Sequence, residues 1–318
     1  MVERNGAMAN GELVKPKKTL QLNKKKVFYY GLMLFPLLQF CVFYIGVNFQ
    51  SILLAFQKYD GFGNFVRLDR LPNADGTYDS LFQNFKDIYI NWGTYIGPAL
   101  KNSIILWFFT AICGTLIAIF FSYFIFKCKS IGRFYRFILF IPSILPGVLL
   151  ANIFKCLTND VLPLLLGWSN PLESIEPTSV FRTVMIYSIF LGFGTQVLLY
   201  SNAMEQISPS VLEAAQLDGV GNMQELIFII LPSIMGTVST FMIATIAGAF
   251  TNQANLFTFY GDWINGNMSK ANTLGYYMFV LAQAKAKYGY ASALGLCCTV
   301  VAVIPTVLFR RFSKRFEE

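Results

Sequence analysis

Charge is what this sequence has little of. Charged residues make up 13% of the chain, where a soluble domain carries roughly a quarter. Histidine is absent, and the six cysteines (Cys41, Cys113, Cys128, Cys156, Cys297 and Cys298) form no Cys-x-x-Cys pair. A zinc site and a disulfide framework are therefore unsupported. No Gly-x-x-x-x-Gly-Lys-Ser/Thr stretch is present, so the chain has no recognisable phosphate cradle and is not expected to hydrolyse ATP. No apolar run holds an Asp, Glu or Lys firmly at its centre, which argues against a proton- or ion-coupled carrier. No internal repeat is detectable, which weighs against secondary-transporter folds built from inverted halves.

What is there is apolar residue in long runs. Hydrophobic residues are 55% of the chain, and six runs reach the roughly 20 residues that span a core of about 30 Å. They are placed near Phe28–Phe49, Ser103–Phe126, Phe134–Phe154, Phe181–Tyr200, Ser233–Thr251 and Ala291–Phe309. In the third, Pro142 and Pro146 remove backbone donors and are expected to bend the helix. The short alternating segments of a membrane β-barrel are not found. The first run is too long for a signal-peptide core and lacks a small-residue cleavage site, so it reads as a retained span. The expectation is an all-α, six-span integral membrane protein: a polar, basic tail over residues 1–26, then a transmembrane domain over 27–318.

Most of the 25 Lys and Arg lie in Met1–Lys26, at Lys127, Lys129, Arg133 and Arg136, and in Arg310–Glu318. Those segments fall on one face if both termini are inside, as the positive-inside preference requires. The net charge of +8 is thus an orientation signal. The Lys-rich tail reads as an anchor beside anionic lipid, not as a nucleic-acid patch. The tail up to Asn23 is expected to be disordered or loosely held at the membrane surface.

Between the fourth and fifth spans, on the inner face, lies a loop over about 201–232. Ser208 to Leu231 reads as a helix–turn–helix. Pro209 ends the preceding structure, Ser210 and Glu213 have capping-box spacing, and Ala214 and Ala215 favour helix with a low profile. Gly219 supplies a position where positive φ costs little. Asn222 and Glu225 repeat the capping logic, and Leu231-Pro232 marks the turn into the fifth span. Val211, Leu212 and Leu217, then Met223, Leu226 and Ile227, are apolar positions for the protein's own helices or for a partner. The loop has no Lys or Arg and carries Glu205, Glu213, Asp218 and Glu225; a protein partner explains that acidity better than lipid headgroups do. On capping alone an ordinary self-folded connector is the better account.

The stretch Glu213-Ala214-Ala215-Gln216-Leu217-Asp218-Gly219, with Ile229-Ile230-Leu231-Pro232 after it, resembles the EAA loop of permease subunits from binding-protein-dependent ABC importers. Asn84-Phe85, Gly132-Arg133-Phe134-Tyr135-Arg136 before Ile141-Pro142, Thr273-Leu274-Gly275-Tyr276-Tyr277 and Tyr290-Ala291-Ser292-Ala293 are similar to other family features. The Gly-Gly-Pro usual before Thr and Leu is only partly kept, as Gly261 and Gly266 without a proline. The resemblance runs from the first span to Phe309 and is strongest from Tyr200 to Pro232.

The resemblance implies the type I ABC importer permease fold in a bacterial plasma membrane, with both termini cytoplasmic. It implies that Glu213, Ala214, Ala215, Asp218, Gly219, Leu231 and Pro232 couple the spans to a cytoplasmic ATPase dimer. ATP and Mg are then used by that partner, and this chain needs no cofactor or metal. A second permease chain, usually a different one, and an extracytoplasmic solute-binding protein are the other implied partners. Within the family the likeness is to carbohydrate permeases of the maltose and multiple-sugar type, with transport by alternating access. Alignment from the loop puts Gly192, Thr195, Thr245, Ala249 and Asn252 on the sugar path, and Gln196 is a further polar group in the fourth span. Thr245, Ala249 and Asn252 share one helical face, although Ala249 departs from the polar residues common there. Tyr187 and Tyr200 supply rings. Helix-to-helix hydrogen bonding and packing account for each of these residues equally well.

Two rival readings remain at this point. One is a polytopic membrane enzyme acting on a lipid-linked substrate, for which Asp60, Asp69, Asp75 and Asp79 are the best acidic cluster. The other is a non-catalytic membrane scaffold.

Overall fold

The computed structural model describes residues 24–70, 72–73, 75–167, 177–260 and 272–314. The tail up to Asn23, Gly261 and Gly266 lie outside the described residues. By contacts the chain divides into Met1–Ser51 and Ile52–Glu318.

The described part of the first unit is helical, and helix α1, Phe28–Leu54, is 27 residues long. At 1.5 Å per residue it extends about 40 Å, more than a bilayer core needs. A π-helical stretch, Phe40–Gly46, interrupts it. Asn48 Nδ2 donates to the Tyr44 carbonyl (2.6 Å) and Ser51 Oγ to that of Val47 (3.0 Å), so side chains cover backbone groups where water is absent.

The second unit opens with a two-stranded hairpin, β1 (Gln57–Tyr59) and β2 (Phe65–Arg67), paired antiparallel with Lys58 opposite Val66. Helix α2 (Gln83–Ile90) follows. Buried Asn84 on α2 donates through Nδ2 to the Ala55 carbonyl (2.8 Å) and that of Gln57 (3.4 Å). Its part in the chain is thus to pin the outer segment.

Next come α3 (Trp92–Lys127), α4 (Lys129–Ile144), α5 (Gly147–Leu166), α6 (Pro177–Glu205), α7 (Pro209–Leu217), α8 (Asn222–Ser233) and α9 (Met235–Gly248). Short α10 (Leu256–Tyr260), α11 (Leu274–Gln283) and α12 (Tyr288–Ser313) complete the described chain. Five helices (α1, α3, α5, α6 and α12) are long and apolar enough to cross a membrane, and the bent pair α8–α9 makes a sixth span. The six-span, all-α expectation holds.

Its details differ in three places. The third span was expected as one kinked helix over Phe134–Phe154. Instead α4 ends at Ile144, Leu145 and Pro146 are extended (ψ 141° and 134°), and a new helix starts at Gly147. Proline restricts the residue before it to extended backbone. Pro142, four residues earlier, stays inside α4. The fifth span bends by 69° between α8 and α9. The turn falls at Ile234 (φ −99°, ψ 5°), two residues beyond Pro232. The second span begins at Trp92 instead of Ser103, because a helix runs on past the apolar zone with Lys101 exposed.

The helices are held by two main apolar clusters. The inner one joins Ile119, Tyr123 and Ile125 of α3, Val197, Tyr200 and Met204 of α6, and Leu226, Ile230, Ile234 and Val238 of the α8–α9 region. The outer one joins Ile96 and Leu106 of α3, Val184 of α6, Tyr276 and Val280 of α11, and Ala293 and Leu294 of α12. Ser122 Oγ also lies 3.1 Å from the Val197 carbonyl, tying α3 to α6. At Gly194 a Cβ would sit 1.9 Å from the Leu139 carbonyl oxygen, so the close approach of α4 and α6 needs glycine there.

Candidate coupling loop and transmembrane cavity

Helix α7 is the first half of the inner loop. It starts with Pro209 in its first turn and Ser208 as the capping residue, and Ser208 Oγ and Ser210 Oγ are 2.8 Å apart. The expected closure of Glu213 on a cap at Ser210 does not form. Proline suits the first helical position, so the helix starts before Ser210 and leaves that residue inside it.

The end of α7 is as expected. Gly219 has φ +70°; its N–H donates to the Gln216 carbonyl and that of Val220 to the Ala215 carbonyl (both 3.1 Å). This is the Schellman arrangement, which satisfies the last carbonyls of a helix. At the start of α8, Gln224 Oε1 accepts from the Gly221 N–H (3.2 Å), so Gln224 rather than Glu225 closes the second cap.

Glu225 has another task. It is 3% exposed, and its Oε2 is 2.6 Å from Lys127 Nζ at the end of α3. Lys127 Nζ also sits 5.7 Å from the centre of the Tyr123 ring. Arg136 of α4 pairs with Glu205 at the end of α6. Two of the four acidic groups of the loop therefore serve internal joints. Glu213 and Asp218 stay exposed, with no ion pair among the described residues.

The apolar positions divide the same way. Ala215 and Leu226 are buried, and Leu212 packs against the inner cluster. Val211, Met223 and Ile227 are exposed, and Leu217 is 89% exposed. Leu231 packs on the inner cluster, and Pro232 lies inside α8 after a π-helical turn, Leu226–Ile230. A cleft of about 810 Å³ separates α7 from the inner ends of α3 and α4, lined by Lys127, Arg136, Glu205, Leu212, Glu213 and Gln216.

The residues expected on a sugar path separate into two groups. Thr245, Ala249 and Asn252 line one cavity of about 380 Å³, but not as one helical face, because α9 ends at Gly248 and the other two follow in the turn beyond it. Gly192, Thr195 and Gln196 do not line it. The Gln196 amide instead lies about 4.0 Å from where a Cβ at Gly114 or at Gly192 would be, facing α3. The other wall of the cavity is α3, through Ser103, Leu106, Trp107 and Thr110. Sequence reasoning missed Trp107 and Thr110. Their signal was a threonine three residues after a tryptophan within an apolar run, one face of a helix.

The outer rim of the cavity is tightly built. Asn252 Oδ1 accepts from the Ala254 N–H (2.8 Å), closing a turn in which Ala254 and Asn255 have φ of 50° and 55°. Non-glycine residues in that region cost on the order of 1–3 kcal/mol each and persist where surroundings fix them. Here Asn255 Nδ2 donates to Tyr187 Oη (2.8 Å), which donates to the Gly147 carbonyl (3.1 Å). Thr273 Oγ1 donates to the Asn252 carbonyl (3.3 Å), and Ser103 Oγ accepts from the Leu274 N–H (2.9 Å).

The outer aspartates are engaged locally. Asp60 accepts the N–H groups of Phe62 (2.8 Å) and Asn64 (3.1 Å), and those bonds, Phe62's above all, hold its carboxyl below the usual range. Asp69 pairs with Arg67, Asp79 with Lys58 and Asn73, and Asp75 accepts from Thr77. They form turns rather than one catalytic face.

Residues 111–318 match the sequence profile of a family described as the binding-protein-dependent transport system inner membrane component. The multiple sugar-binding transport system permease protein MsmF of Streptococcus mutans is 28% identical over 191 residues, which are 58% of this chain and 64% of that protein. The arabinooligosaccharides transport system permease protein AraP of Bacillus subtilis is 25% identical over 233 residues, 69% of this chain and 72% of that one. Among solved structures, a chain of a bacterial alginate ABC transporter, in complex with an alginate pentasaccharide-bound periplasmic protein, superposes with a TM-score of 0.72. It is 19% identical, and the match covers 93% of this chain and 96% of that one.

Proposed function

The chain belongs to the family of binding-protein-dependent transport system inner membrane components, and from that premise we propose that it is the permease subunit through which an ATP-driven importer passes a sugar or oligosaccharide. As a family member it is a multi-pass plasma-membrane protein with a transport role. The carbohydrate assignment is supported by the names of the relatives and by a cavity between α3 and α9 lined with threonines, an asparagine and an indole. Concave sites of that chemistry suit saccharides.

The observation that carries the coupling role is the division of α7. Ala215 and Leu212 anchor it to the bundle, while Glu213, Asp218, Val211 and Leu217 are presented outward at the inner face. A cytoplasmic ATPase that grips the outward side moves α7. The buried side and the Lys127–Glu225 joint pass that displacement to α8 and α3. Gly219 fixes the exit angle of α7, and Leu231 and Pro232 lie in the helix that leads to the bend at Ile234. The bend then converts displacement of α8 into reorientation of α9, which bears Thr245 near its outer end and leads into the turn that holds Asn252. Alternating access is the resulting cycle, with Gly192, Thr195 and Gln196 lining a separate stretch of path along α6.

ATP and Mg belong to the paired ATPase subunits, a second permease chain completes the path, and a soluble binding protein delivers the sugar from outside. A photo-crosslinking residue at Leu217, in the complex expressed with its genomic neighbours, should capture an ATP-hydrolysing subunit. One at Phe62, 91% exposed on the outer hairpin, should capture a soluble binding protein instead. Capture of neither, in a folded preparation, shifts the weight to a membrane enzyme or a scaffold.

A further inference from the structure

The cavity between α3 and α9 has an uneven hydrogen-bond inventory. The Trp107 indole N–H is buried and has no partner among the described residues. Asn252 accepts through Oδ1 from Ala254, and its Nδ2 makes no hydrogen bond among the described residues. Those are two free N–H donors. Thr110, Thr245 and Thr251 each spend the hydroxyl proton on a backbone carbonyl three or four residues earlier, those of Leu106, Met242 and Gly248 at 2.8, 2.9 and 3.4 Å. Each hydroxyl oxygen is left as an acceptor. The remaining lining is Ser103, Leu106, Ala244, Gly248 and Ala249, so no described lining residue is charged.

A buried donor without a partner costs free energy until something accepts from it. An apolar occupant would leave the indole N–H stranded. An anion would use the donors but face three acceptor oxygens with no cation in the described lining, and a cation would find no carboxylate there. A neutral polyol satisfies both sets, since each of its hydroxyls donates and accepts. The indole also offers a flat apolar face to the C–H side of a sugar ring. The volume of about 380 Å³ lies in the range of small-molecule sites, roughly 300–1,000 Å³.

We propose that Trp107, with Thr110 behind it, is a specificity residue for an uncharged saccharide ring held against Thr245 and Asn252, so that the transporter selects neutral over acidic sugars. This rests on the carbohydrate reading above and adds the second span, one donor and the sign of charge to it. Trp107 Nε1 donates to a ring hydroxyl, Asn252 Nδ2 donates to another, and the threonine oxygens accept.

The test uses the complete transporter with its own binding protein in proteoliposomes. The probes are maltotriose, arabinotriose, diacetylchitobiose and a uronic-acid trisaccharide. The native complex should take up at least one neutral sugar and discriminate against the uronate. Trp107→Phe keeps a ring and loses the donor, and should raise the KM of uptake about five- to tenfold, the value of one hydrogen bond. Trp107→Leu should raise it further, and Asn252→Ala should raise it independently. The amount of ATPase subunit that co-purifies checks that each variant is assembled. Preferred uptake of the uronate overturns the proposal, as does an unchanged KM in both Trp107 variants. Failure of the native complex to take up any probe overturns the carbohydrate reading itself, and this inference falls with it.

Discussion

Lys127→Met should destabilise the chain far more than Glu225→Gln, although both break the same ion pair. In the first variant the Glu225 carboxylate stays behind, 3% exposed. Its Oε1 already lacks a partner, and Oε2 loses the ammonium 2.6 Å away. Breaking a buried pair by removing one partner costs about 3–5 kcal/mol, because the other charge is stranded. The Lys127 side chain is 32% exposed, so water already screens part of the pair and the lower figure, about 3 kcal/mol, applies. In Glu225→Gln no charge is stranded. The amide still accepts from Lys127, whose head reaches water, and the loss is about 1 kcal/mol. The assay is unfolding of the purified full chain by SDS titration, followed by tryptophan fluorescence. Exchanging the two residues, Lys127→Glu with Glu225→Lys, should recover part of the lost stability. Equal costs for the two single variants, or no cost for either, would refute the claim that a buried carboxylate fastens the loop to α3.

Other outcomes follow from the same geometry. Gly219→Val puts a β-branched residue at φ +70°, a strain of about 1–2 kcal/mol with nothing within 4 Å to clash; ATP-driven uptake should fall while membrane insertion, read by fractionation, is kept. Gly194→Ala drives a Cβ into the Leu139 carbonyl and should cost about 1–3 kcal/mol, seen as a lower SDS midpoint. Tyr187→Phe removes the link between Asn255 and Gly147 and should cost about 1–2 kcal/mol, for two hydrogen bonds of a buried ring; hydrogen exchange should rise in the turn 252–255.

The spans were legible because lipid leaves few options: long apolar runs with basic inner flanks specify helix and orientation together. Gly219 was legible too, since only a few residue types tolerate the backbone that ends α7. What stayed hidden depended on neighbours distant in sequence. Of two prolines four residues apart, Pro142 stays inside a helix, while Pro146 follows the extended Leu145 at which that helix ends. Glu225 looked like a cap or part of an acidic surface. Its partner, Lys127, is 98 residues away, so no local pattern marked it as a joint. Trp107 lies in an apolar run with nothing in sequence to single it out, and only the placement of α9 opposite it makes it part of a cavity. The loop pattern foretold a helix–turn–helix but not its division into the face that holds Ala215 and the face that offers Leu217.

The central claim, that α7 is gripped by an ATPase to drive transport, meets its most direct test in a single preparation. The chain is expressed with its genomic neighbours, extracted in mild detergent, and compared with a Glu213→Ala, Gly219→Val version. The native chain should co-purify an ATP-hydrolysing subunit and, once reconstituted, support ATP-driven sugar uptake. The double variant should insert and fold but lose both. Undiminished capture and uptake by the double variant would contradict the account.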